Sequence, residues 1–211
     1  MDEFYSHFIY DENGNAAQSG VSSAQFVEDV DKDPVLIFDG LTKNFRYPGW
    51  RLGWVVGPKP MIKCMITAGS SIDGGTSRLA QRAALKALEP HYADQELRAL
   101  RTCFAAKRKL IVNGLRELGV RFPAEPNSTF YAWGCLDQLP KGLDEGHGFF
   151  RQALQRKVMT VPGEFFDVNP GKRRTGSSPF SQWMRFSFGP NLDTVATGLM
   201  RLSEMVREHQ K

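Results

Sequence analysis

At 211 residues, with 41% hydrophobic and 24% charged side chains, the sequence has the profile of an ordinary folded protein, which excludes a disordered or fibrous chain and allows one large domain or two small ones. The formal net charge of +4 comes from acidic and basic residues mixed along the chain. The densest basic cluster, Lys172-Arg173-Arg174, has no interleaved aromatics and no nucleic-acid module beside it, so it reads as a solvated loop and nucleic acid is set aside as a partner.

In chain order, Pro34-Val-Leu-Ile-Phe38 reads as a short buried strand, because it is apolar, rich in branched residues and bounded by Asp33-Pro34 and Asp39-Gly40. Pro48-Gly49 then turns the chain, and Leu52-Gly-Trp-Val-Val56 leaves as a second strand. Lys43 thus sits where a strand gives way to a loop, with Arg51 eight residues on, and the two charges would face one hairpin-like cleft. An amine that forms an imine needs a fixed backbone and partial shelter from water, and a nearby guanidinium favours an anionic cofactor. Those needs fit pyridoxal 5'-phosphate.

Lys59 to Thr67 reads as a helix after Gly57-Pro58. Ser77 to Leu88 reads as another, with Thr76 and Ser77 offering hydroxyls at its start and Pro90 ending it. From about Ala93 to Leu118 one long helix is expected, with Leu97, Leu100, Phe104, Leu110, Ile111, Leu115 and Leu118 as its buried stripe and Gly119 as its stop. Beyond it, strands are expected at Val120–Phe122, Thr129–Cys135, Val158–Val161 and Met184–Phe188, and helices at about 148–157 and 192–207. Residues 167–182 read as a flexible loop.

The segment Thr42-Lys43-Asn-Phe-Arg-Tyr-Pro48-Gly49-Trp-Arg51-Leu-Gly53-Trp54 resembles the lysine motif of class I/II aminotransferases, the fold-type-I pyridoxal-phosphate enzymes. Their pattern is Ser-x-Ser/Thr-Lys followed by Pro-Gly-x-Arg-x-Gly-Trp. The resemblance implies that Lys43 holds the cofactor through an imine and that Thr42 and Arg51 belong to the cofactor site, Arg51 on the phosphate. Gly40 departs from the pattern: a serine is usual there, and glycine offers only its backbone N–H. Asp2-Glu3-Phe4-Tyr5 is similar to the family's Asp-Glu-x-Tyr segment, which implies Asp2 beside the pyridine nitrogen and Tyr5 near the ring's 3' oxygen. Trp183-Met-Arg185-Phe-Ser-Phe188 resembles the family's C-terminal Arg-x-Ser-Phe strand, which implies Arg185 as the clamp on the substrate α-carboxylate. Pro126-Asn-Ser-Thr-Phe-Tyr131 and Val158-Met-Thr-Val-Pro-Gly163-Glu-Phe-Phe166 resemble two further family segments, and all the matches come in family order.

The resemblance implies an α/β fold: the C-terminal part of the fold-type-I large domain over residues 1–100, then a small α+β C-terminal domain over 101–211. The family's first half has no counterpart in this sequence, so a truncated form of the enzyme is expected, with a cut parallel sheet leaving an open edge and an uncovered apolar face. The implied activity is amino-group transfer from an amino acid to a 2-oxo acid, on a homodimer. Two alternatives stand beside it: a non-catalytic remnant serving as an interaction or regulatory subunit, and a related lyase such as an aminocyclopropane-carboxylate-synthase-like enzyme. Met1-Asp-Glu is not the start of a signal peptide, and no apolar run approaches the ~20 residues that cross a bilayer, so a cytoplasmic location without membrane contact is expected. Cys64, Cys103 and Cys135 suggest a reducing compartment, and the scattered histidines offer no metal spacing.

Overall fold

Pro48-Gly49 turns the chain within a β-hairpin, whereas Asp39 and Gly40, expected to bound its first strand, belong to that strand. A computed structural model describes every residue except 18, 19, 170, 172 and 211, and the chain divides into two compact units, Met1–Cys103 and Phe104–Lys211. In the first unit, β1 (Ile37–Gly40) pairs antiparallel with β2 (Gly53–Val56), with Asp39 opposite Trp54 and Gly40 opposite Gly53. β1 lies further along the chain than the expected Pro34–Phe38, because Asp39 and Gly40 join the ladder and residues 34–36 do not; Ile37–Asp39 are half-buried, and on the other flank Asp2 forms a parallel bridge to Phe38. Pairing is therefore parallel on one side of β1 and antiparallel on the other.

Three helices follow in this unit. α1 (Lys59–Ile72) runs a turn past its expected end and buries no residue; Ile66 and Ile72 are largely exposed. α2 (Arg78–Ala87) buries Ala84 alone, leaving Leu79 and Leu85 open to solvent. Ser77 occupies the N-cap position of α2, yet its hydroxyl accepts no backbone amide. One core cluster of the unit joins Leu41, Phe45, Leu52 and Ala84, with Tyr47, Trp50 and Trp54 packed against them, and Phe8, Tyr10 and Leu100 are buried in the same unit. Pro90 opens α3 (Pro90–Glu117) as much as it closes α2, since proline at a first helical turn loses no hydrogen bond. α3 runs through the division of the chain and stops at Gly119, whose φ of 96° suits glycine.

The second unit is a three-stranded antiparallel sheet in the order β3 (Tyr131–Cys135), β5 (Trp183–Ser187), β4 (Val161–Pro162). α4 (Gly146–Gln155) and α5 (Leu192–His209) belong to it, and Asn191 caps α5 by accepting from the Thr194 amide at 2.8 Å. Ala132, Met184 and Phe186 are buried, with Phe149 of α4 edge-on to Phe186 at 5.7 Å. Two expected strands shrink. Val120–Phe122 is reduced to one bridge, Arg121 to Cys135, because the Val120 amide is spent on Leu115 O at the end of α3. Val158–Thr160 stays outside β4, because the Val158 amide closes α4 on Ala153 O after Lys157 turns at φ 59°. Among the described residues no helix is long and apolar enough to cross a membrane.

Candidate active site

Lys43 lies half-buried just beyond the end of β1, in a tight turn where its carbonyl accepts from the Arg46 amide at 3.1 Å. Thr42 beside it is also half-buried. The loop closes where the Leu41 amide meets Leu52 O at 3.0 Å and the Tyr47 amide meets Leu41 O at 2.9 Å. Pro48–Trp50 forms a single 3-10 turn, and Arg51 follows in the left-handed region with φ 50° and ψ 44°. Its exposed guanidinium donates from Nη1 to Pro48 O at 2.9 Å, which leaves the remaining N–H groups of the fork directed elsewhere.

The Met1–Glu3 segment runs alongside β1, with Phe38 N donating to Met1 O at 2.9 Å and Glu3 N to Phe38 O at 2.8 Å. Asp2 is exposed, and its Oδ1 accepts from the Phe4 amide at 3.1 Å. Tyr5 is half-buried, its ring tilted against that of fully buried Phe8. The segment that carries Asp2 and Tyr5 and the loop that carries Thr42, Lys43 and Arg51 are thus adjoining parts of one unit.

What fastens them is a residue that the sequence pattern does not single out. Asn44, with no exposed surface, donates through Nδ2 to Glu3 O at 2.9 Å, Asp39 Oδ1 at 3.0 Å and Ser6 Oγ at 3.1 Å. Its Oδ1 accepts from the His7 amide at 3.1 Å. Burial pushes the Asp39 carboxyl up to about 6, against the pull of donors from Gly40 N–H and Asn44, and the carboxylates of Glu3 and Asp2 add to the rise. Burial also lowers the His7 imidazole, with Arg101 acting in the same sense against a hydrogen bond to the Asn44 backbone. The one sequence signal for Asn44 is its type: Asn in a loop after a strand commonly turns its side chain onto backbone groups.

Gly40, at the position where the related motif has serine, is packed shut. A Cβ there would come within 2.8 Å of Gly53 Cα, Leu52 O and the Phe4 ring.

Arg185 lies in the second unit, in the middle of β5, opposite Trp133 on one side and Val161 on the other. Its guanidinium carbon is 4.2 Å from the Tyr131 ring centroid and 4.6 Å from that of Phe166. In the loop after Phe166, Asp167 takes the Arg174 guanidinium on both carboxylate oxygens, and Asn169 brackets Arg174 by accepting from its amide and donating to its carbonyl. The basic cluster is therefore not wholly solvated: Arg174 is engaged, Arg173 is exposed, and Lys172 lies outside the described residues.

A family model described as aminotransferase class I and II matches residues 1–202. The chain belongs to the class I and II aminotransferase family. Members of this family conventionally use pyridoxal phosphate. The aspartate aminotransferase of Sulfurisphaera tokodaii is 26% identical over 208 residues, a match covering 97% of this chain and 47% of that protein. The LL-diaminopimelate aminotransferase of Halothermothrix orenii is 33% identical over 146 residues, covering 60% of this chain and 36% of that protein. Among solved structures, the aromatic aminotransferase of Pyrococcus horikoshii superposes with a TM-score of 0.80 at 24% identity, over 99% of this chain and 51% of that one, which establishes the aminotransferase fold for this partial length. This aminotransferase-family chain spans about half the length of the relatives it matches.

Proposed function

We propose that this chain carries the lysine-bearing half of a pyridoxal-phosphate aminotransferase site and moves an amino group from an amino acid to a 2-oxo acid. The observation that carries the reading is the junction of the Asp2–Tyr5 segment with the Lys43 loop, made by the Asp2–Phe38 bridge and the buried Asn44. The donor set fits the cofactor: an amine for its aldehyde, a guanidinium for its phosphate, a carboxylate for its ring nitrogen and a phenol for its ring oxygen.

Pyridoxal phosphate, when bound, supplies an aldehyde that captures amines and a ring that accepts the electron pair left at Cα. Lys43 would anchor it through its amine and, once released by the incoming substrate, would take the proton from the substrate Cα and pass it to the cofactor carbon that had held the lysine. Arg51 would bind the phosphate, with its fork already braced by Pro48 O. Asp2 would hold a proton on the ring nitrogen, Tyr5 would donate to the ring oxygen, and Thr42 would flank the phosphate side. Arg185 would grip the substrate carboxylate in the plane of its guanidinium. Residues 1–100 serve in this reading as the cofactor-binding part and 101–211 as the small domain of a cytoplasmic homodimer.

A second reading has its own support. Ile66, Ile72, Leu79 and Leu85 are between 66% and 82% exposed, a surface suited to an interaction subunit. One experiment separates the two. Purified chain is mixed with pyridoxal phosphate, reduced with borohydride and mapped by peptide mass. Label concentrated on Lys43 and abolished in Lys43→Ala is the expected outcome; label scattered over many lysines would sink the enzymatic reading.

A further inference from the structure

The sheet of the second unit has two unlike faces. Ala132, Gly134, Met184 and Phe186 form the buried one. The other carries Tyr131, Trp133, Trp183 and Arg185, all half-buried. An antiparallel sheet with one open face ordinarily sets polar residues there. Here the open face is aromatic. Trp133 stacks on Trp183 at 5.7 Å and meets Phe166 and Phe180 edge-on at 5.5 Å each.

Arg185 is the cation set into this face. With Tyr131 and Phe166 against it, what remains for a ligand is the edge of the fork. Among the described residues no acceptor bonds to that edge. A fork with covered faces and open donors accepts a planar, bidentate anion, which is a carboxylate. Whatever is attached to that carboxylate then lies along aromatic rings. Rings turn a negative face outward, so a second carboxylate would be desolvated against them without compensation. Arg174, in the loop after Phe166, is already held by both oxygens of Asp167 and has no free fork to offer.

We propose that the aromatic face around Arg185 is the side-chain subsite of the enzyme, and that it selects amino and 2-oxo acids with aromatic or large apolar side chains over those with a second acid group. This rests on Arg185 being the carboxylate clamp of the proposed aminotransferase.

The test is calorimetric titration of the full chain with phenylpyruvate and with 2-oxoglutarate. Phenylpyruvate is expected to bind at least about tenfold more tightly, since a buried phenyl ring is worth that much in affinity. Arg185→Gln should abolish both. Trp133→Leu should cut the preference severalfold, and because a tryptophan in a packed cluster can also support folding, Phe166→Leu, at a more exposed position, repeats the measurement. Equal affinity for the two acids, lost together in Arg185→Gln, would leave the carboxylate clamp standing and overturn the aromatic preference. Binding untouched by Arg185→Gln, or no binding of either acid, would overturn the clamp and the preference with it.

Discussion

Asn44 donates to Asp39 at 3.0 Å from a side chain that has no exposed surface, and the two residues bracket the turn that presents Lys43. The same amide reaches Glu3 O and Ser6 Oγ, so one side chain joins strand end, loop and N-terminal segment. Asn44→Ala would strand those acceptors and the His7 amide in a buried setting. A cost of about 2–4 kcal/mol is expected, the usual range for breaking a buried network. Urea denaturation followed by tryptophan fluorescence measures it. A cost under about 1 kcal/mol would mean that water replaces the amide freely.

Asp39 makes stability depend on pH in the less common direction. Its folded value, about 6, lies above the ordinary 3.8, so the folded chain holds the extra proton between those values. Stability from this group is fully present below the ordinary value and is lost as pH rises through about 6. Unfolding free energy measured from pH 4 to pH 7 should therefore carry a falling component that Asp39→Asn removes, since an amide keeps an acceptor for Gly40 N and never ionises. An unchanged slope in Asp39→Asn would assign the pH dependence elsewhere.

Much of this fold is legible from punctuation and period. Pro48-Gly49 marks the turn of the hairpin, and the stripe through Leu100, Phe104, Ile111 and Leu115 marks α3, because turn chemistry and helical spacing are local; Asp39-Gly40 misleads, since both residues pair within β1. The strands that fail as sequence readings fail for one reason: the amides of Val120 and Val158 close the ends of α3 and α4, so neither can join a ladder. A strand-like composition does not say which carbonyl an amide will meet. For the candidate site, the Lys43 and Arg185 segments stand out by motif, whereas Asn44 bonds to partners as far as 41 residues away and follows no period. The Arg185 surroundings are half legible: alternation puts Trp133 and Arg185 on one face, while Phe166 arrives from a turn beyond β4.

Gly40 answers a question about the motif. Restoring the related family's serine is expected to harm this chain, because the new Cβ would meet Gly53 Cα, Leu52 O and the Phe4 ring at 2.8 Å, and two of those three are backbone. Gly40→Ser should cost about 1–3 kcal/mol through strand displacement. Gly40→Ser combined with Phe4→Ala should recover part of it, since the ring is the one neighbour that can be removed. Thermal unfolding of the single and double variants checks the coupling, and strictly additive losses would show that Phe4 is not the obstacle.

The Asp167–Arg174 pair fixes the loop that delivers Phe166 to Arg185. Hydrogen bonds from Arg174, then from Ser178, hold the Asp167 carboxyl down at about 2. A depressed carboxyl contributes above its ordinary value and loses that contribution as pH falls through the folded one, so the clip should persist across the neutral and mildly acidic range. Asp167→Asn removes the charge and leaves one oxygen for a fork that now grips two. The Arg174 amide, bonded to Asn169 Oδ1 at 3.1 Å, should then exchange with deuterium severalfold faster, and trypsin should cut after Arg174 sooner, while global unfolding hardly moves. Because Phe166 precedes Asp167 directly, a loosened clip should also weaken the hold of phenylpyruvate in the calorimetric titration. Faster exchange with unchanged phenylpyruvate binding would show that the Phe166–Arg185 stack stands without the clip, held by the edge contact of Phe166 with Trp133 at 5.5 Å.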